Sequence, residues 1–229
     1  MDVRERVIVA LDVASWELAE GLIGRLGPDL RWVKVGLELF SQAGPQAITR
    51  LKGAGLKVMV DLKLHDIPQT VSRATAQLAS CGADAVTVHA QGGRPMLEAA
   101  VAAAHGQGTK VWAVTVLTSL DDQLWGEIGY QDSPETSVRR LARLARAAGC
   151  DGVVASGVEA KMVRQMAPEA FDIVTPGIRF SGDDPGDQRR TMDPAQALLA
   201  GATQLVIGRP ITAAADPQAR LRQAQEVGL

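Results

Sequence analysis

The sequence predicts an α/β fold, a (β/α)8 TIM barrel built as a single domain over residues 1–229. Three observations carry this expectation. Short apolar runs recur at nearly even intervals, stretches of helical periodicity separate them, and Pro and Gly mark where those stretches open and close. In chain order the strand candidates are Val7–Leu11, Trp32–Gly36, Lys57–Val60, Ala85–His89, Val111–Val116, Gly152–Ala155, Asp172–Thr175 and Gln204–Ile207. Each is rich in Val, Ile or other apolar residues, as parallel strands buried on both faces must be. The helical stretches are Ser15–Leu26, Pro45–Ala54, Pro68–Cys81, Pro95–Ala104, Thr136–Ala148, Val158–Gln165, Pro194–Ala200 and Pro217–Val227. Several open with Pro, whose fixed φ and missing N–H suit a first helical turn, and many close with Gly before the next strand, as at Gly53, Gly82, Gly149 and Gly201. Eight evenly spaced units close into a barrel more naturally than they form an open doubly wound sheet.

Composition narrows the partners. With 46% hydrophobic and 22% charged residues and a net charge of −2, the chain has no basic footprint for nucleic acid or an anionic membrane, so a small metabolite is the expected ligand. No apolar run approaches the length of a bilayer crossing, and the acid-bearing N-terminus runs straight into a strand, so a cytoplasmic protein is expected. Cys81 and Cys150 end two helical stretches in equivalent repeats beside Gly and Asp, which points to helix–strand packing rather than a disulfide or a metal pair.

In a barrel of this kind, function lies at the carboxyl ends of the strands. The residues falling there are Asp12, Lys34, Asp61, Lys63, Asp66, His89, Thr118, Ser156, Arg179 and Arg209. The densest stretch is Asp61 to Thr70, where two acids and a lysine end an apolar strand. Strand alternation puts Asp61 and Lys63 on one side of the sheet, and Asp66 follows in the turn before Pro68 starts a helix. As structure alone, Asp61 and Lys63 would be a buried ion pair fixing the third strand. With Lys34 and Asp66 added, four ionisable groups at adjacent strand ends are costly to desolvate and read as a site. The lysines would repel a divalent cation, and no His or Glu ligand stands beside the acids, so no metal is expected. By the same alternation His65 points away from Asp61 and Lys63 and reads as structural. His89 reads equally well as a site residue and as a satisfied rim histidine.

Two loops break the rhythm. Thr118 to Pro134 holds Trp125, Ile128 and Tyr130 and reads as a packed cap over the rim. Phe180 to Arg190, rich in Gly and Asp and poor in apolar anchors, reads as a mobile lid. The loops after strands seven and eight carry the residues that bind phosphate in many barrels. Thr175-Pro-Gly-Ile-Arg179 supplies a tight turn and a guanidinium, while Gly208 and Arg209 open a short helix and offer close backbone approach and a two-pronged anion grip.

Along its length the chain resembles the orotidine 5′-monophosphate decarboxylase family. The residues that carry the resemblance are Val9 to Asp12, Lys34 to Gly36, Asp61 to Pro68, Val88 to Ala90, Val116 to Ser119, Thr175 to Arg179, Asp187-Gln188 and Ile207 to Thr212. Gln69 stands where the family often has Asn. The resemblance implies decarboxylation of orotidine 5′-monophosphate to uridine 5′-monophosphate and carbon dioxide, without metal or cofactor, as the last step of de novo pyrimidine synthesis. It implies that Lys63 delivers a proton to the carbon that loses carbon dioxide, within a network of Lys34, Asp61, Lys63 and Asp66. It further implies a homodimer in which Asp66, with Ile67 and Thr70 beside it, reaches the partner's active site. Asp12 and Lys34 would contact the ribose, Ser156 the pyrimidine edge, and Arg179, Gly208 and Arg209 the phosphate. Gln188 would bridge base and phosphate, with Pro176 and Thr118 also contacting substrate.

Two other readings stay open on the residues. Metal-dependent sugar-phosphate decarboxylases or aldolases resemble the chain in its Asp-x-Lys-x-x-Asp run but usually carry an acid where Lys34 stands. A non-catalytic nucleotide sensor would keep the phosphate grip, yet has no use for the charge cluster.

Overall fold

The computed structural model describes residues 3–183 and 191–227. Eight parallel strands close into a barrel in sequence order: β1 (Val7–Ala10), β2 (Trp32–Gly36), β3 (Lys57–Leu64), β4 (Ala85–His89), β5 (Lys110–Val114), β6 (Gly152–Val154), β7 (Asp172–Thr175) and β8 (Gln204–Ile207). β1 pairs with both β2 and β8, which closes the ring and leaves no sheet edge. All eight strands fall where the apolar runs place them. The largest difference is at β3, which continues past Val60 to Leu64.

The strand residues sort by alternation. Val9, Val33, Val58, Val86 and Val111 face the outer shell, where they pack against the helices in one continuous core. Ile8, Ala10, Trp32, Met59, Ala85, Trp112, Val174 and Val206 fill the barrel interior. This period of two carries into the functional end. Lys34 follows Trp32 on the inner face of β2, and Asp61 follows Met59 on that of β3.

The outer ring begins with α1 (Trp16–Leu26), α2 (Leu37–Ala43), α3 (Gln46–Gly53), α4 (Pro68–Ser80), α5 (Gly93–His105) and α6 (Asp122–Glu127). It continues with α7 (Pro134–Ala147), α8 (Gly157–Met166), α9 (Pro194–Leu199), α10 (Arg209–Thr212) and α11 (Pro217–Glu226). The starts follow local chemistry. Ser15, Asp121, Ser133 and Asp216 accept backbone N–H bonds as caps, and Pro opens α4, α7, α9 and α11. The short helix expected to open at Gly208 and Arg209 is α10. Two other short helices, α2 and α6, lie in segments where the sequence predicts no helix, and neither exceeds seven residues, too few for a helical period to stand out. The loop after β5 packs as expected: Trp125 is buried and stacks on Tyr130 at 3.9 Å. Ile128, by contrast, is exposed.

Cys81 and Cys150 are both free thiols, consistent with packing roles. Burial, with Asp151 beside it, pushes the Cys150 thiol up to about 12, so it stays protonated and inert. Most of the expected lid, residues 184–190 with Gln188, lies outside the described residues. No helix among the described residues is long and apolar enough to cross a membrane.

Candidate active site

At the carboxyl ends of β1 to β3, four side chains alternate in charge. Lys34 Nζ lies 2.7 Å from Asp12 Oδ1 and 3.5 Å from Asp61 Oδ2, and Lys63 Nζ lies 2.9 Å from that same Asp61 oxygen. The formal charges cancel along this line, which lowers the cost of holding the groups in a partly dry site. Lys34 and Asp61 are buried, whereas Asp12 and Lys63 reach solvent at the two ends. Burial pushes the Asp61 carboxyl up. The Lys34 and Lys63 ammonium groups, with hydrogen bonds from Lys63 and Thr87, outweigh it and hold the carboxyl below its usual range.

Two backbone features make this line possible. In the register of β2 on β3, Gly36 sits opposite Asp61. A Cβ on Gly36 would lie 2.8 Å from Lys34 Nζ and 3.0 Å from Asp12 Oδ1, so the missing side chain is the space in which the ion pair forms. The second feature is at β3. Val60 pairs with Val86 and Leu64 with Val88, so β3 advances four residues while β4 advances two. Lys63 lies in that bulge with φ +50°, the one non-glycine residue with positive φ among those described. A left-handed lysine costs about 1–2 kcal/mol, and the backbone turn lets its ammonium fold back onto Asp61. The expected contact between Asp61 and Lys63 is therefore present, but a bulge delivers it rather than regular alternation. The alternation argument for His65 loses its basis for the same reason. His65 is exposed and stacks on His89 with ring centroids 5.2 Å apart.

Thr87, on the inner face of β4, joins the cluster without being anticipated. Its hydroxyl donates to Asp61 Oδ1 at 3.0 Å and accepts the Lys63 backbone N–H at 2.9 Å, locking both residues in place. The signal was available: Thr87 follows Ala85 at the inward period of an apolar strand, where a buried hydroxyl needs a partner. Burial, with His65 and Lys63 nearby, pulls the His89 imidazole down to about 4, so it is neutral at pH 7. His89 Nδ1 is buried with no hydrogen-bond partner among the described residues.

The charged line forms one wall of a cavity of about 520 Å³. The rest of its lining includes Pro176, Gly177, Arg179, Gly208 and Arg209 from the loops after β7 and β8, and Thr118 and Ser119 from the loop after β5. Asp12, Lys34, Asp61, Lys63, Thr118, Pro176, Arg179, Gly208 and Arg209 are thus brought together around one space. Ser156 is not on its surface. It is fully buried, and its backbone N–H and hydroxyl both donate to the Glu159 carboxylate at the start of α8. Asp66 also stands apart from the charged line, its carboxylate accepting the Ile67 N–H at 2.6 Å. From His65 to Thr70 the chain is exposed, and Ile67 leaves 65% of its surface open.

Apolar walls, a few convergent charges at strand ends and two arginine-bearing loops are what a barrel enzyme for a small anionic substrate requires. The chain belongs to the Orotidine 5'-phosphate decarboxylase / HUMPS family, which residues 5–224 match. It is 49% identical to "Orotidine 5'-phosphate decarboxylase" of Moorella thermoacetica, over 97% of this chain and 91% of that protein. The protein of that name from Nitrosomonas europaea is also 49% identical, over 95% of this chain and 94% of its own length. Among solved structures, orotidine 5'-phosphate decarboxylase from Lactobacillus acidophilus superposes with a TM-score of 0.85 at 38% identity, covering 97% of this chain and 98% of that one.

Proposed function

We propose that this enzyme decarboxylates orotidine 5′-monophosphate to uridine 5′-monophosphate in pyrimidine biosynthesis, with Lys63 as the proton donor and neither metal nor cofactor. The chain is a carboxy-lyase by its family and by relatives near 50% identity across almost its whole length. The finer reading rests on one observation: the line Asp12–Lys34–Asp61–Lys63 and the arginines of the β7 and β8 loops line a single cavity.

In this reading Arg179, Gly208 and Arg209 hold the phosphate, Asp12 and Lys34 the ribose, and the pyrimidine lies against Asp61 and Lys63. Thr118 and Pro176 line the walls. Ser156 meets the pyrimidine edge by exchanging its bond to Glu159, next to Ala155, which lines the cavity. Gln188, outside the described residues, is assigned the bridge between base and phosphate. The Asp61 carboxylate stands near the substrate's own carboxylate. Two like charges about 4 Å apart at an effective dielectric near 20 repel by about 4 kcal/mol, and this strain disappears as neutral carbon dioxide leaves. The bond from the ring carbon to the carboxylate breaks, its electron pair stays on the carbon, and the Lys63 ammonium stabilises that pair and then protonates it. Strain of this size is a fraction of the roughly 23 kcal/mol that highly proficient enzymes supply, so grip on the phosphate must also be converted into transition-state stabilisation.

The exposed turn carrying Asp66, Ile67 and Thr70 completes the partner's site in a homodimer acting in the cytoplasm. An apolar side chain open at the head of a helix suits such burial. Lys63→Ala should abolish decarboxylation, by at least ~10³-fold in kcat, while retaining affinity for uridine 5′-monophosphate. Near-normal turnover would remove Lys63 as proton donor. Mixing inactive Lys63→Ala and Asp66→Ala proteins should restore part of the activity, since one hybrid site then holds both native groups. No recovery despite demonstrated subunit exchange would remove the shared site.

A further inference from the structure

We propose that Arg220, on α11 behind the cavity, is a positioning residue that ties the β7 and β8 loops into one anion grip. The inference deepens the reading that Arg179 and Arg209 hold the substrate phosphate. Arg220 does not line the cavity itself. Its guanidinium is instead shared between the two loops. One edge meets Asp183 Oδ1 at 2.6 Å, Nε donates to the Pro210 carbonyl at 3.3 Å, and Nη1 donates to Gln223 at 2.9 Å within its own helix. Its flat face lies 4.0 Å from the centre of the Phe180 ring.

Phe180 is the residue after Arg179, and Pro210 the residue after Arg209. One side chain therefore contacts the immediate neighbour of each arginine. Asp183 reinforces the first contact, because its other oxygen accepts the Phe180 N–H at 2.9 Å while its own N–H donates to the Phe180 carbonyl at 3.1 Å. The Arg179 N–H is held separately by the Met192 carbonyl at 3.0 Å. Phe180 is buried and Asp183 and Arg220 are largely covered, so the pair sits in a region of low effective dielectric where a charge-assisted bond is strong. A planar guanidinium can stack and fork at once, and a lysine cannot. Without this joint, each loop would have to order separately when the anion arrives. Rate constants that depend on the phosphate would fall, while chemistry on a phosphate-free substrate would not.

The test is the ratio of kcat/KM for orotidine 5′-monophosphate to kcat/KM for orotidine, which lacks the phosphate. In Arg220→Met this ratio should fall about tenfold or more, mainly through a raised KM for the phosphorylated substrate, with orotidine turnover within about twofold of wild type. Arg220→Lys should recover only part of the loss. Asp183→Asn should lower the ratio in the same direction and stands in for Arg220→Met if that variant does not fold. Arg209→Ala separates the two claims. If Arg209→Ala collapses the ratio while Arg220→Met and Asp183→Asn leave it unchanged, the positioning role is wrong. Equal losses on both substrates in the Arg220 and Asp183 variants would also overturn it, by marking a general structural effect. If Arg209→Ala too leaves the ratio unchanged, the phosphate reading itself fails.

Discussion

Both ends of this barrel set a lysine against a buried aspartate, yet they differ in what the pair faces. At the amino ends of the strands, Lys110 Nζ lies 2.7 Å from Asp172 Oδ2, and the same oxygen accepts the Trp112 indole N–H at 3.0 Å. Trp32 packs on Trp112 with centroids 5.8 Å apart, Lys57 lies over Trp32, and a second pair joins Lys57 to Glu5. Indole rings fill the space, and the charges close the floor. At the carboxyl ends two inward positions, Ala10 and Gly36, are small, and the line from Asp12 to Lys63 borders a cavity instead of a packed ring. A buried ion pair is therefore not a site in itself. It becomes one where neighbouring residues leave room for a substrate to meet it.

That contrast can be broken by substitution. After the loss of Lys63, the largest expected effect is at the proposed anion-binding loops, where Arg209→Ala should raise KM for orotidine 5′-monophosphate ~100-fold, read from steady-state kinetics, because a charge-assisted, two-pronged contact would be lost. Next is Gly36→Ala. Its new Cβ would crowd Lys34 Nζ and Asp12 Oδ1, so activity should drop ~10-fold while stability changes by about 1 kcal/mol or less, seen as an almost unmoved denaturation midpoint. At the floor the pattern should invert. Lys110→Met leaves Asp172 buried with one fewer partner and should cost about 1–3 kcal/mol in urea unfolding, with kcat and KM unchanged. A kinetic defect in Lys110→Met, or a purely structural defect in Gly36→Ala, would dissolve the distinction between the two ends.

The smallest effect is a pH dependence at the functional end. His89 is held down at about 4 from an ordinary 6.5, so the unfolded chain takes up the proton first. Stability from this group is complete above pH 6.5 and is lost as the pH falls towards 4, by about 1–2 kcal/mol after screening by solvent. His89→Gln should flatten that part of the curve in urea unfolding at stepped pH. An unaltered slope would mean that His89 does not carry it.

The two ends also differ in how legible they are in the sequence. All eight strands and the four charged residues of the line can be placed from apolar runs and strand ends, because alternation and right-sized spacing are local properties. The contact between Asp61 and Lys63 follows from alternation only by coincidence, since the β3 bulge and the left-handed Lys63 that create it depend on how β4 pairs with β3. Gly36 carries no chemistry of its own, so its value as empty space appears only once Lys34 and Asp12 are in position. Thr87 was within reach of the inward period of β4, but a lone hydroxyl in an apolar strand gives no hint of its partner across the sheet. Arg220 was out of reach altogether: Arg220 and Asp183 are 37 residues apart, and only barrel closure brings α11 behind the β7 loop.

Whether the line of charges at the carboxyl rim performs the decarboxylation without a metal can be read by mixing the purified protein with orotidine 5′-monophosphate in a strong metal chelator and following the substrate's ultraviolet absorbance. Rapid loss of absorbance with uridine 5′-monophosphate as the product is expected. Folded protein that leaves the substrate unchanged, yet acts on sugar phosphates when Mg²⁺ is supplied, would overturn the proposed reaction.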